Sequence, residues 1–476
     1  MMGKFNIFRT FVYKWRYPIS YGSVLLALIF ALLFAGTYIP GGLSAAEIES
    51  ATKSSSTMLS HVWTIDVINL PYHILQHASL SIFGVSVLSI KLPSIILAFM
   101  SAVGMTILLK QWFKPGIGIL ASLIAITTGQ FLFIAQNGTP DILYLFWPVW
   151  LILTASLIPV HEKWRKLYIV AFFALAALSL YTPLSLYILV VIAGAIIIHP
   201  HLRFLIKQLT KLELLIGVVV IGIVIAPLVF AISKAPELAA QLMGWPASIP
   251  NLMSNTVLLA NRYLGFADAG KGTTLTPFFE LGSTLLIVLG AYYIYKNRAT
   301  AKSYVVTLWT LCLIPVIVLN PPLISVTFLP LVLLLASGIN GLLSHWYGLF
   351  PRNPYARIGG LIPIIILVTV LLVSGISRYV YGYTYDPNIV TSFSRDLRLL
   401  PKNTTNLVVS EEELSFYNVV AKYNHKIRVS VTPTSSWFLA THDAKRTFYG
   451  YQIDHIVTSS DTNNSDRFYL YKKSSL

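Results

Sequence analysis

The chain has 476 residues, 56% of them apolar and only 11% charged, with a mean hydropathy of +0.71. A soluble domain of this size carries about a quarter charged residues, so the composition excludes an ordinary soluble enzyme and indicates a polytopic helical membrane protein. The formal charge of +16 does not indicate nucleic acid, because Lys and Arg punctuate the gaps between apolar runs, as topogenic charges do.

Residues 1–17 carry Lys4, Arg9, Lys14 and Arg16 and are expected in the cytoplasm. The first apolar run, near residues 19–38, is too long for a cleaved signal and is followed by further spans. It delivers a polar stretch, residues 36–94, to the outside, carrying Glu47, Glu49, His61, Asp66, Asn69, His73 and His77. Span 2 covers about 92–109 and span 3 about 117–135, separated by a short inner turn with Lys110 and Lys114. Span 3 emerges at Asn137-Gly138-Thr139-Pro140-Asp141, and span 4 follows to about residue 160. His161-Glu162-Lys163-Trp164-Arg165-Lys166 is an inner turn. Spans 5 and 6 flank Tyr181-Thr182-Pro183, with proline as the breaker. Arg203, Lys207 and Lys211 sit on an inner connector, and span 7 covers about 214–232. A longer outer loop follows, with Arg262 and Lys271. Span 8 ends near Tyr295, and Lys296, Arg298 and Lys302 mark the inside again.

Span 9 holds the single cysteine, Cys312, which excludes an internal disulfide and a cysteine-rich metal site. It reaches Asn320-Pro321-Pro322 outside. Span 10 returns to Ser344, Arg352 and Arg357 lie inside, and span 11, about 361–376, crosses outward. This alternation leaves about 17 Lys/Arg on inner segments and about 5 on outer loops, which supports an odd count of about 11 spans. The composition changes after Arg378. Residues 406–410, 426–431, 455–457 and 468–471 read as strands. Residues 411–423 read as a helix, with Ser410 and Glu413 as a capping box. The expected architecture is therefore mainly α. It comprises a transmembrane bundle over residues 1–378 with a large first outer loop at 40–91, and a small extracytoplasmic α/β domain at 379–476.

Glu47 has two readings. Ser44-Ala45-Ala46-Glu47 is a capping box, which would make Glu47 structural. Alternatively, Glu47 is a carboxylate facing a cavity at the membrane surface, able to act as general base or bind a metal. Asp141 likewise reads either as a first-turn acid behind Thr139 and Pro140 or as the partner of Glu47 on the same face. Two carboxylates in one cleft can hold a divalent cation or divide base and orienting roles. His73 and His77 share a helical face at i,i+4 but lack a third ligand motif, so no metal site is assigned. Lys91 either snorkels to the interface or pairs with a lipid phosphate, and Arg262 is a second outer-face cation.

Taken in order, Pro40-Gly41-Gly42-Leu43-Ser44-Ala45-Ala46-Glu47, then Asn69-Leu70-Pro71-Tyr72-His73, then Lys91-Leu92-Pro93-Ser94 resemble the polytopic GT-C glycosyltransferases. The likeness is to the protein O-mannosyltransferase and lipid A aminoarabinose-transferase group. The resemblance covers roughly residues 21–183. It implies transfer of a sugar from a polyprenyl-phosphate carrier to a protein, lipid or cell-envelope glycan acceptor at the outer face of the cell membrane. It places Glu47 and Asp141 as the catalytic acids and Asn69 and Lys91 as substrate contacts; His73 and Arg262 are added as substrate contacts from the reading of the residues themselves. The departures are specific: Ala46 stands where the group has an acidic Asp, Lys91 where it has Arg, Asn69 where it has His, and Leu70 where it has a Pro. They leave open a degenerate member that binds lipid carrier or glycan without transferring sugar.

Overall fold

The computed structural model describes residues 42–57, 66–246, 248–265, 277–349, 361–424, 426–458 and 466–474, with isolated positions outside these ranges. Span 1, His61, Lys271 and the inner turn with Arg352 and Arg357 lie largely or wholly outside the described residues.

Gly42 and Leu43 open the described chain. They lead into α1 (Ala45–Ser56) and then α2 (Leu70–Phe83), the two helices of the first polar loop. The spans follow as α3 (Val87–Trp112), the pair α4 (Pro115–Thr127) and α5 (Gly129–Gln136), and α6 (Leu143–Leu157), which is entered through a 3-10 turn at Pro140–Ile142. Next come α7 (Arg165–Ser179), α8 (Ser185–Ile198), α9 (Pro200–Lys207) and α10 (Lys211–Lys234). Loop helices α11 (Glu237–Leu242) and α12 (Leu252–Leu264) precede α13 (Leu281–Lys296), α14 (Ala301–Leu319), α15 (Phe328–Leu349) and α16 (Leu361–Tyr385). Among the described residues, six helices are individually long and apolar enough to cross a membrane, and two bent pairs raise that to eight. The helices at the expected spans 5 and 8 have 15 and 16 residues.

Span 3 is broken where the sequence reads as continuous: α4 and α5 meet at 61°. The reason is local. The Thr128 hydroxyl donates to the Ala125 carbonyl at 2.7 Å and accepts from Phe131 N at 3.3 Å, ending one helix and capping the next. The last span runs to Tyr385, beyond the expected end near 376. Arg378, which interrupts the apolar run in the sequence, lies within this helix.

After the short helix α17 (Pro387–Ser392) the chain forms a five-stranded sheet with α18 (Leu414–Tyr423) packed on it. The strands are β1 (Asn406–Val408), β2 (Arg428–Ser430), β3 (Trp437–Ala440), β4 (Tyr451–Thr458) and β5 (Arg467–Lys473), in the order β2-β1-β3-β5-β4. β1 is parallel to β2 and β3, while β5 runs antiparallel to β3 and β4. β3 is the strand the sequence does not announce: Trp437-Phe438-Leu439-Ala440 is a short continuous apolar run, buried at three of its four positions, with no alternation to mark it. The capping box is made, with Glu413 N donating to Ser410 Oγ at 3.3 Å and Ser410 N to Glu413 Oε2 at 3.3 Å, but the helix begins only at Leu414.

This sheet domain is fused to the first polar loop. Leu43, Ala51, Leu80 and Ile90 share one core with Leu407, Phe416, Val420 and Phe468, where each large apolar side chain contributes about 1.5–3 kcal/mol on burial. Leu43 exchanges backbone hydrogen bonds with Arg395, and Lys422 Nζ donates to the Ser55 carbonyl at 2.9 Å. The polar loop is thereby clamped between the spans below and the sheet domain above.

Candidate active site at the heads of spans 2 and 4

α1 is divided by its polar residues. Ser44, Glu47, Ser50, Ala51 and Ser54 are buried, whereas Ala45, Ala46 and Glu49 are exposed. The capping-box reading of Glu47 is realised: Ser44 N donates to Glu47 Oε2 at 2.8 Å, and Glu47 N to Ser44 Oγ at 3.3 Å. The carboxylate does more than cap. Its Oε1 accepts from Gly138 N at 2.7 Å and lies 3.4 Å from Lys91 Nζ, with both side chains at 0% exposure. Lys91 also donates to Gln136 Oε1 at 2.9 Å, and its ammonium lies 5.5 Å from the centroid of the Phe393 ring. One buried ion pair therefore joins the first polar loop, the head of α3 and the turn between α5 and α6. Gly138 is required by this approach, since a Cβ there would lie 2.9 Å from Ile90 Cγ2 and 3.0 Å from the Ile90 carbonyl oxygen.

A second buried chain runs beside the first. Gln76 Oε1 accepts from Ser50 at 2.8 Å and from Ser54 at 2.6 Å, while its Nε2 donates to the carbonyls of Ile90 at 2.9 Å and Gly138 at 3.0 Å. All its polar capacity is used, as a buried amide requires. His73 belongs to this network: its Nδ1 lies 2.8 Å from Ser54 Oγ. Burial, assisted by the nearby Lys53 charge, pulls the His73 imidazole down to about 4, against a smaller upward pull from Asp66.

Asp141 sits in the 3-10 turn at the head of α6 and is partly exposed. Thr139 makes no side-chain cap on this turn, and Asn137 Oδ1 is buried without a hydrogen-bond partner among the described residues. The charges of both acids are felt at Tyr72. Its hydroxyl is 2.8 Å from Ser94 Oγ, which donates to the Thr139 carbonyl at 3.3 Å. Burial raises the Tyr72 phenol above its usual range, and the Glu47 and Asp141 charges raise it further. Asn69 adopts a left-handed conformation (φ 57°), which Asn tolerates. Its N–H donates to the Tyr181 carbonyl at 2.8 Å, and its Oδ1 is sealed without a partner. Arg262 lies apart on α12, donating to the Pro321 carbonyl at 2.6 Å; among the described residues it pairs with no carboxylate.

The structure thus brings Glu47, Lys91 and Asp141 to one locality, sets His73 in its supporting network and leaves Arg262 outside it. Sequence reasoning did not single out Tyr72, Gln76, Ser94, Gln136 or Gly138. Tyr72 and Ser94 lay inside the quoted motifs, and Gly138 in the Asn-Gly turn signal. Gln76 carried no signal beyond its i+3 spacing from His73. The opposite face of α1 borders a separate cleft of about 660 Å³, walled by Ile48, Glu49, Thr52, Arg395, Glu413 and Asp443. Arg395 pairs there with Glu413 at 2.7 Å and with Asp443. Among the described residues, no group of three or more His, Cys, Asp or Glu is placed to hold a metal ion.

Residues 71–230 match the family model described as dolichyl-phosphate-mannose-protein mannosyltransferase. No curated protein matches the sequence. Among solved structures, the chain is similar to ArnT from Cupriavidus metallidurans bound to undecaprenyl phosphate, with TM-score 0.53 and 12% identity over 95% of this chain and 98% of that one. The apo state of ArnT gives 0.50 and 11% over the same shares. The Archaeoglobus fulgidus oligosaccharyltransferase tethered with an acceptor peptide gives 0.52 and 12%, over 88% of this chain and 64% of that one.

Proposed function

We propose that this chain, which has the GT-C glycosyltransferase fold, is a membrane glycosyltransferase that moves a sugar from a polyprenyl-phosphate carrier to a protein, lipid or envelope-glycan acceptor at the outer face. The observation that carries this reading is that the first-loop acid Glu47, paired with the buried Lys91, is bonded to Gly138 in the very turn that leads into the span-4 acid Asp141. The matched mannosyltransferase family model and the undecaprenyl phosphate bound by ArnT support the donor class.

Within this reading the two acids divide their roles. Glu47 is sealed, and both its oxygens are occupied by Ser44 N, Gly138 N and Lys91. It positions the loop. Asp141 is partly exposed and takes the role of base. It accepts the proton of the acceptor hydroxyl as that oxygen bonds to the sugar's anomeric carbon. The bond from that carbon to the phosphate oxygen breaks, and the carrier phosphate leaves with the electron pair.

A second reading has its own observation. Ala46 is exposed on α1 where the resembled group carries an acid, so a degenerate member would bind carrier lipid and transfer nothing. Radiolabelled sugar transfer from a polyprenyl-phosphate donor in proteoliposomes separates the two. The glycosyltransferase reading expects Asp141→Asn to lower transfer by about 10²–10⁴-fold with carrier binding kept. Glu47→Gln lowers it less. Equal transfer by wild type and both variants removes the acids from the chemistry, and carrier binding with no wild-type transfer selects the degenerate reading.

A further inference from the structure

The carboxylate cluster stands at the Lys91 end of α3. From Lys91 to Trp112 this helix rises about 30 Å, one hydrocarbon thickness. At that far end a cavity of about 290 Å³ opens between the ends of α3, α13 and α14 and the middle of α15. Its charged groups are Lys114 and Lys302, and the segments that bring them, 110–114 and 296–302, contain no acid. Lysines at span ends are ordinary in membrane proteins and would carry nothing alone. Here they border an open, partly polar cavity. Ser337 lines it at 8% exposure, and neither its hydroxyl nor the Asn340 amide has a hydrogen-bond partner among the described residues.

The walls are fixed by packing. Trp112 Nε1 donates to Ser156 Oγ at 2.9 Å, which holds the indole in place. The Tyr293 ring lies against Gly341 so closely that any Cβ there would collide with it. Lys302 Nζ sits 5.3 Å from the centroid of the Phe113 ring, and among the described residues neither Lys302 nor Lys114 pairs with a carboxylate.

We propose that this cavity binds the phosphate headgroup of an anionic membrane lipid, at the membrane face opposite the carboxylate cluster. Phosphate oxygens would meet two ammonium groups and the unpartnered Ser337 and Asn340 side chains. Val306 and Leu333, both buried, close the apolar floor of the cavity. The site is independent of sugar transfer.

The test is native mass spectrometry of the full chain in detergent, titrated with phosphatidylglycerol, with phosphatidylcholine of the same acyl chains, and with inorganic phosphate. Phosphatidylglycerol is expected to be retained in preference to phosphatidylcholine. The double variant Lys114→Gln/Lys302→Gln, at exposed positions, should weaken it by about 30-fold. Lys163→Gln/Lys166→Gln, which removes two cations from another turn, should leave it unchanged. Equal retention of the two lipids overturns the proposal, as does equal loss in both double variants, which would mean general surface charge. Inorganic phosphate bound with the same lysine dependence and no gain from acyl chains also overturns it, in favour of a soluble phosphate compound.

Discussion

The Glu47–Lys91 pair sets a sharp expectation for Lys91→Met. The substitution keeps the length of the side chain and removes its charge. Glu47 would remain at 0% exposure with backbone donors at 2.8 and 2.7 Å but no counter-ion. Removing one partner of a buried pair costs about 3–5 kcal/mol. The cost falls on the docking of α1 against the α5–α6 turn, because that is what the pair joins. Amide hydrogen exchange in residues 45–56, followed by mass spectrometry in detergent, should therefore accelerate by about two to three and a half orders of magnitude. Exchange in β4 and β5, which touch none of these groups, should not change. The double variant Glu47→Gln/Lys91→Met should recover part of the protection. It removes the unpaired buried charge, while the single carbonyl oxygen of Gln can accept from Gly138 N or from Ser44 N but not from both. Two results would refute the reasoning: protection of α1 in Lys91→Met equal to wild type, or no recovery in the double variant. Either would mean that the pair does not hold the loop.

Gly138→Ala should loosen the same segment by about 1–3 kcal/mol, because the new methyl meets the backbone carbonyl of Ile90 and can be accommodated only by moving the turn. Exchange in residues 45–56 and sugar transfer should both respond, and unchanged values would show that the turn relaxes freely. For His73 the folded imidazole is pulled down to about 4 from an ordinary value near 6.5. Its contribution is complete above pH 6.5 and is lost as pH falls from 6.5 toward 4, where the unfolded state binds the extra proton. The loss is at most about 3 kcal/mol. The apparent melting temperature of the wild type should drop more than that of His73→Gln between pH 7.5 and 4.5, and parallel curves would refute the assignment.

The legibility of the site followed the range of the interactions. The Ser44–Glu47 box lies within four residues and was readable, as was Ser410–Glu413. The second role of Glu47 was not, because Gly138 and Lys91 are 91 and 44 residues away in the chain and no local pattern marks them. His73 was read as a substrate contact from its place in a motif, whereas the structure gives it Ser54 as a partner across the loop. The break in span 3 was missed because hydropathy averages over a Thr-Gly step whose effect depends on one hydroxyl.

The sequence by itself determined the class of protein, the succession of apolar helices, the polar first loop and a terminal strand-rich region. Apolar runs and turn residues act over a few residues, and the bilayer imposes its length scale directly on the chain. Only the tertiary structure decided that the first loop and the terminal sheet share one core, that Glu47 is sealed while Asp141 remains partly open, and that a cation-lined cavity lies across the membrane from both. Each of these depends on which faces of distant helices meet, and a helix carries that information in contacts rather than in composition.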